Sequence, residues 1–290
     1  MVEALFQLIR DAFDNHANAV FLMEGEPPRI RRERDLVVLH PGPVPQAAMA
    51  EFWQDCGVDT SEVREKDISW QLPNSRRLRV NLYKSLGRLG AVMSPIHDEV
   101  PTLAQLGLPA ELLQTWMQRR QGLILVTGPT GSGKSTTVAS CLDWLNHNFR
   151  RHIVTLEDPI EYLFTNDLSL FSQREIHQDT PEFASGLRSA LRQSPDVLFI
   201  GEIRDAETAV TALHAAETGH LVISTMHSST MVETLDRFIH LLKSESAGAL
   251  GLLASQLIGI ITQQLLPRLG GGLFPVLEYF QNEAATRPIG

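Results

Sequence analysis

Apolar positions change their spacing along the chain, and the changes divide it. Val2, Leu5, Phe6, Ile9, Ala12 and Phe13 recur at helical intervals, which predicts an opening amphipathic helix. Val20-Phe21-Leu22 predicts a strand, Gly25-Glu26-Pro27-Pro28 a turn, and Ala47 to Cys56 a second helix. Ile68 to Leu72 and Leu78 to Tyr83 alternate apolar with polar residues, the pattern of a strand buried on one face. Gly90 to Met93 adds a further strand. Together these predict a small α+β domain over residues 1–98, without a catalytic constellation of its own. Pro101 and Pro109 bracket a linker at 99–109, and Pro109 is suited to start a helix over Ala110 to Met117.

The pattern differs over residues 110–290, the predicted second domain. Leu123 to Thr127, Ile153 to Leu156, Val197 to Ile200 and Leu221 to Thr225 are short runs without alternation, separated by helical stretches. Strands buried on both faces and alternating with helices predict an α/β domain with a parallel sheet. Further on, Ala249, Leu252, Leu253, Gln256, Leu257, Ile260 and Ile261 fall at helical spacing, which predicts one helix with a buried face. Pro267 to Gly272 reads as a turn and Phe274 to Glu278 as an edge strand, where Pro275 is tolerated.

Between the first of these strands and a helix over Thr136 to Asn146 stands Gly128-Pro129-Thr130-Gly131-Ser132-Gly133-Lys134-Ser135. It fits G-x-x-x-x-G-K-[ST], the phosphate-binding loop. Glycines let the backbone turn tightly and aim successive N–H groups at phosphate oxygens, and the helix N-terminus adds partial positive charge. Lys134 reaches the phosphates in such a loop, and the Ser135 hydroxyl ligates Mg²⁺. Ligands of open α/β sheets sit outside the carboxyl ends of the strands. Those ends here carry Glu157 with Asp158, Glu202 and His227. Lys134, Glu157, Glu202 and His227 are therefore expected in one crevice, an arrangement for hydrolysing a nucleoside triphosphate rather than only binding it. Taken singly, a glutamate after a strand caps a helix or meets solvent, and a lone histidine is structural; the convergence gives them a function.

Composition narrows the partners. The formal net charge is −9 with a pI near 5.6, which argues against nucleic acid. The cluster Arg29, Arg31, Arg32 and Arg34 is accordingly read as a solvated hairpin edge. Two scattered cysteines, Cys56 and Cys141, indicate neither a disulfide framework nor a cysteine zinc site and fit a reducing compartment. No signal peptide is expected, since Glu3 and Arg10 interrupt the first apolar residues, and Ala247 to Ile261 is too short to span a bilayer. The expected location is cytoplasmic, docked at a membrane through partners.

At these residues the chain resembles the hexameric secretion ATPases and, within them, the type IV pilus retraction ATPases. The Walker A loop is Gly128 to Thr136, and an acidic box is Thr155-Leu156-Glu157-Asp158-Pro159-Ile160-Glu161-Tyr162. A Walker B with Gly-Glu for the usual Asp-Glu runs from Ser194 through Gly201-Glu202 to Asp205. A histidine box is Thr218 to His227, and Gln173-Arg174-Glu175-Ile176-His177 matches another family segment. The resemblance spans about residues 15–290 and is strongest after 120. It implies a PAS-like domain followed by a RecA-like ATPase domain, a ring of six identical subunits, ATP and Mg²⁺ as ligands, and an inner-membrane pilus platform protein as partner. Carried over, Glu157 leads as general base, Glu202 holds Mg²⁺ or its water ligand, and His227 senses the γ-phosphate; spacing leaves the choice of base between the two glutamates open.

The departures are specific. Asn18-Ala19-Val20-Phe21-Leu22 lacks both polar landmarks of the matching family strand. An arginine expected before Thr-Ile-Pro is absent from Met93-Ser94-Pro95-Ile96-His97, leaving Arg77, Arg79 and Arg88 as cations for the nucleotide. The chain ends at Ala285 to Gly290, where the family's Ala-Ile-Arg-Asn-Leu-Ile-Arg-Glu segment begins, so a truncated chain or a shortened paralogue is expected. The absence of a tetracysteine insert separates the chain from extension and type II secretion ATPases, and a type IV secretion ATPase stays open. The expected function is Mg²⁺-dependent ATP hydrolysis driving pilus retraction; the alternative is a degenerate or accessory nucleotide-binding paralogue that regulates an active one.

Overall fold

The structure is a computed structural model and describes residues 2–32, 35–73, 76–96, 99–242, 248–268 and 272–283. Arg34, His97, Asp98, Ala247, the centre of the turn at 269–271 and the terminal segment 285–290 lie outside the described residues. The chain forms two compact units, Met1–His97 with Pro159–Leu163, and Asp98–Asp158 with Phe164–Gly290.

In the first unit the helix α1 (Val2–Asp14) buries Leu5, Phe6, Ile9, Ala12 and Phe13, the stripe its spacing predicts. There follow β1 (Ala19–Met23), β2 (Arg29–Arg32), β3 (Asp35–Val38), α2 (Gln46–Asp55), β4 (Glu65–Gln71), β5 (Arg77–Ser85) and β6 (Arg88–Pro95). The strands make one antiparallel sheet in the order β3-β2-β1-β6-β5-β4. One face is covered by α1 and α2, where Phe6, Phe52 and Trp70 pack ring against ring and join Leu78, Val80 and Leu82 in a core. Along β5 every second residue from Leu78 to Leu82 is buried, so Arg77 and Arg79 share the half-exposed face. β2 and β3 form the edge hairpin, and the arginines described there flank the buried Ile30.

The second unit contains α3 (Ala110–Met117), β7 (Gly122–Thr127), α4 (Lys134–Asn148), β8 (His152–Glu157), β9 (Leu170–Glu175), α5 (Phe183–Ala190), β10 (Val197–Ile200), α6 (Ala206–Glu217), β11 (Leu221–Met226), α7 (Met231–Leu242), α8 (Ala249–Gln256), β12 (Leu257–Pro267) and β13 (Leu273–Gln281). Its sheet runs β13-β12-β7-β11-β10-β8-β9, parallel throughout except for the antiparallel β12–β13 pair at one edge. The four apolar runs are the central strands, and β7, β10 and β11 are buried at every position.

One expectation is corrected. The helix predicted through Ile261 stops at Gln256, and Leu257 to Ile261 begin a strand beside β7. The apolar spacing there suits either element. Ile258, Ile260 and Ile261 are β-branched, and a side chain at Gly259 would collide with the Trp116 indole, so the segment is shaped for a sheet. β13 is an edge strand, with Pro275 paired opposite Leu265. Among the described residues no helix is long and apolar enough to cross a membrane.

Candidate active site

The site begins where β7 runs out. Gly128 follows with φ +149°, a conformation open to glycine, and a Cβ there would collide with the Gln263 carbonyl oxygen and the Ser132 hydroxyl. Pro129, Thr130 and Gly131 form the exposed rim of the loop. Gly133 is left-handed at φ +86° and caps α4, whose first residue is Lys134. Ser135 and Thr136 follow in its first turn, half-buried. The free N–H groups of that turn and the helix dipole point into the loop.

Lys134 is only 8% exposed, and its Nζ donates to the carbonyls of Gly128 at 2.9 Å and Pro129 at 3.0 Å. A buried ammonium needs such partners. The Ser132 hydroxyl is buried without a hydrogen-bond partner, a costly state for a polar group. An oxyanion inside the loop would supply both the missing acceptor and an anion for Lys134. The cradle therefore fits the phosphates of a nucleotide.

The strand ends converge on this loop. His227, one residue beyond β11, places Nδ1 3.5 Å from Lys134 Nζ and Nε2 3.5 Å from Glu202 Oε2. Glu202 is held by the sheet itself. Gly201 donates its N–H to Leu156 at 2.7 Å and accepts the Thr225 hydroxyl at 2.6 Å, and Ile203 donates to the Thr225 carbonyl at 3.1 Å. Glu202 also accepts from Arg204 Nε at 2.7 Å, and Arg204 lies 4.0 Å from Asp158. Arg204 was not singled out by sequence reasoning, although it stands two residues beyond Glu202 in the same motif.

Glu157 ends β8 beside Gly201, whose Cβ position is 3.4 Å from the Glu157 Cα. Glu157 is 7% exposed, and its carboxylate accepts from the Thr155 hydroxyl at 2.7 Å and from Gln173 at 3.4 Å. The parallel register sets the buried Glu175 next to it on β9. Lys134, His227 and Glu202 thus form one line of contacts, with Glu157 on the adjacent strand end. Burial and the Lys134 ammonium lower the His227 pKa below 6.5, against the pull of Glu202, so the imidazole is neutral at pH 7. Arg77 and Arg79 belong to the first unit, and Arg88 there pairs with Glu26 at 3.2 Å.

A glycine cradle at a helix N-terminus, a buried lysine within it and strand-end carboxylates on a parallel sheet define a P-loop nucleotide-binding domain. Residues 91–272 match the model of the type II/IV secretion system proteins, and the chain belongs to that family. It is 39% identical over 279 residues to the type IV pilus retraction ATPase PilT of Pseudomonas aeruginosa, covering 94% of this chain and 81% of that protein. It is 43% identical over 203 residues to a twitching motility protein of Neisseria gonorrhoeae, covering 70% of this chain and 54% of that one. A crystal structure of the pilus retraction motor PilT with bound ADP superposes with a TM-score of 0.89 at 38% identity, over 97% of this chain and 83% of that one. The fold is accordingly a RecA-like ATPase domain preceded by a small domain with an antiparallel sheet.

Proposed function

We propose that the chain is an Mg²⁺-dependent ATPase, acting as one subunit of a homohexameric ring, that drives retraction of type IV pili. The observation that carries the enzymatic part is the contact line from Lys134 through His227 to Glu202, beside the unsatisfied Ser132 hydroxyl. The pilus part rests on the likeness to a retraction ATPase and a twitching motility protein.

Phosphoryl transfer asks a protein for positioning and charge neutralisation. Gly128 to Thr136 bind the phosphates through backbone N–H groups, and Lys134 exchanges its two carbonyl partners for phosphate oxygens. Ser135 and Glu202 would hold Mg²⁺, which takes few protein ligands in phosphate sites, and the ion would supply charge neutralisation there. Glu157 takes the proton of the attacking water. Neutral His227, between Lys134 and Glu202, senses the terminal phosphate. Arg77 and Arg79 supply cations in trans across the ring. The ring docks on an inner-membrane platform protein at the cytoplasmic face.

The accessory reading, nucleotide binding beside an active paralogue, is favoured by one observation: the Arg88 guanidinium is engaged by Glu26 and by the Glu24 carbonyl. Phosphate release by the full chain with and without Mg²⁺, and twitching in a deletion strain, test both. Mg²⁺-dependent turnover and twitching restored by the wild-type gene but not by Lys134→Ala are expected. Nucleotide binding without turnover would leave the accessory reading, and unaltered twitching in the deletion strain would overturn the motor.

A further inference from the structure

Gln263 lies on β12, in no nucleotide-binding motif, yet its side chain reaches the phosphate loop from below. It is 1% exposed. Its Nε2 donates to the Ser132 carbonyl at 2.5 Å, and its Oε1 accepts the Thr137 hydroxyl at 2.8 Å. These two bonds fix which end of the amide faces which partner. Its own carbonyl oxygen lies against Gly128, and its Nε2 is 3.1 Å from where a Cβ on Gly133 would stand. One residue therefore touches the start of the loop, its end and the first turn of α4.

A trans peptide points its C=O and its N–H in opposite directions. Drawing the Ser132 carbonyl onto Gln263 therefore turns the next N–H, that of Gly133, away from Gln263. Gly133 is the N-cap of α4, where backbone N–H groups have no partner within the helix and serve anions. Without the amide, this peptide unit is freer to rotate about the Ser132 ψ and Gly133 φ torsions, the latter at a glycine, and the N–H donor is lost to the anion. The backing is rigid, because the neighbouring Thr262 hydroxyl is bonded to Thr127 at 2.8 Å, and Thr127 immediately precedes Gly128.

We infer that Gln263 is a positioning residue of the phosphate site: its amide locks the Ser132–Gly133 peptide in the orientation that offers the Gly133 N–H to the nucleotide's phosphates. The inference rests on the nucleotide-binding reading of the loop. It acts on phosphate recognition and not on the base, so its signature is the preference for ADP over AMP. The test is to measure ADP and AMP affinity of the full-length wild-type protein, Gln263→Met, Gln263→Glu and Thr137→Val, with thermal melting as a control for folding. Met keeps the packing and loses both hydrogen bonds; Glu keeps the acceptor for Thr137 and loses the donor to Ser132. Both are expected to reduce the ADP preference by about tenfold, the scale of one buried hydrogen bond. Thr137→Val, which removes one anchor of the amide and leaves the other, should reduce it by about threefold. A role in packing alone would leave the Met variant with the wild-type preference. An unchanged preference in a folded Gln263→Glu or Gln263→Met protein overturns the inference while the nucleotide site stands. If neither folds, an unchanged preference in Thr137→Val overturns it. A wild-type protein that binds neither nucleotide would remove the reading of the loop and the inference with it.

Discussion

The sheets of the two units hold their polar side chains in different places. Along β5 of the first unit, buried Leu78, Val80 and Leu82 alternate with half-exposed Arg77, Arg79 and Asn81. Along β7 and β11 of the second unit every residue is buried. An antiparallel sheet covered on one side displays chemistry along its open face, whereas a parallel sheet covered on both sides displays it only at strand ends. Burial follows the same division. Lys134, Glu157 and Glu202 are at most 8% exposed, each with close polar partners, so each side chain is held in one place. The arginines on β5 keep more contact with water. A strand-end crevice suits the proposed reacting groups, and a sheet face suits the cation proposed to act on another subunit.

That contrast predicts the order in which substitutions act. The largest effect is expected from Lys134→Ala, which removes the one buried cation in the loop. ATP turnover should fall by about 1,000-fold or more with the fold intact, since solvent cannot replace a charge fixed beside the phosphates. Phosphate release together with circular dichroism checks this, and near-wild-type turnover by a folded variant would break the assignment.

Glu157→Gln and Glu202→Gln come next. Each should retain ADP binding and lose turnover by roughly 100-fold, the scale of a general base or of a misplaced metal ligand. Their comparison sharpens the site. The variant whose residual rate stays flat from acid to neutral pH marks the base, and the one whose Mg²⁺ requirement shifts to higher concentration marks the metal ligand.

Arg77→Ala and Arg79→Ala should be milder, about tenfold in kcat with little change in ADP affinity, because in the proposed trans arrangement such a cation acts on the transition state. Mixing either with an inactive Lys134→Ala protein tests action in trans. Recovered turnover in the mixed ring is the expected result, and strictly additive activities would place the arginines outside the chemistry.

The smallest effect concerns pH. Burial and Lys134 depress the His227 pKa below 6.5, so the imidazole gains its proton only under acid conditions. Turnover should halve as the pH falls to that depressed value, and His227→Gln should abolish this acid limb. The unfolded chain takes up the proton at higher pH than the folded one. The contribution of His227 to stability is therefore complete above 6.5 and declines as pH falls. With its side chain 40% exposed, this contribution is slight.

Much of the molecule was legible because short-range patterns carried it. The phosphate loop is contiguous, and runs such as Val197 to Ile200 can be little else than buried strands when helices alternate with them. The convergence of Lys134, Glu202 and His227 followed from the rule that parallel strands present their carboxyl ends together. The α1 stripe was equally plain, since five buried residues repeat at a single period.

Other features were decided by contacts that no local pattern carries. Leu257 to Ile261 satisfies helical and extended spacing alike; the open side of β7 and the Trp116 ring against Gly259 make it a strand. The carboxylate of Glu202 is shared between Arg204 and His227 only because Gly201 is pinned to β8 and β11 on its two sides. Gln263 is the extreme case. Its amide meets the Ser132 carbonyl across 131 residues of sequence, and nothing around it marks it as part of a phosphate site. Sequence by itself thus determined which segments are strands and helices wherever one period dominates, and which loop is shaped to cradle phosphate, because both depend on neighbours along the chain. Tertiary structure alone decided which distant groups hold that loop in shape, because a hydrogen bond depends on position and direction in space and leaves no trace in residue spacing.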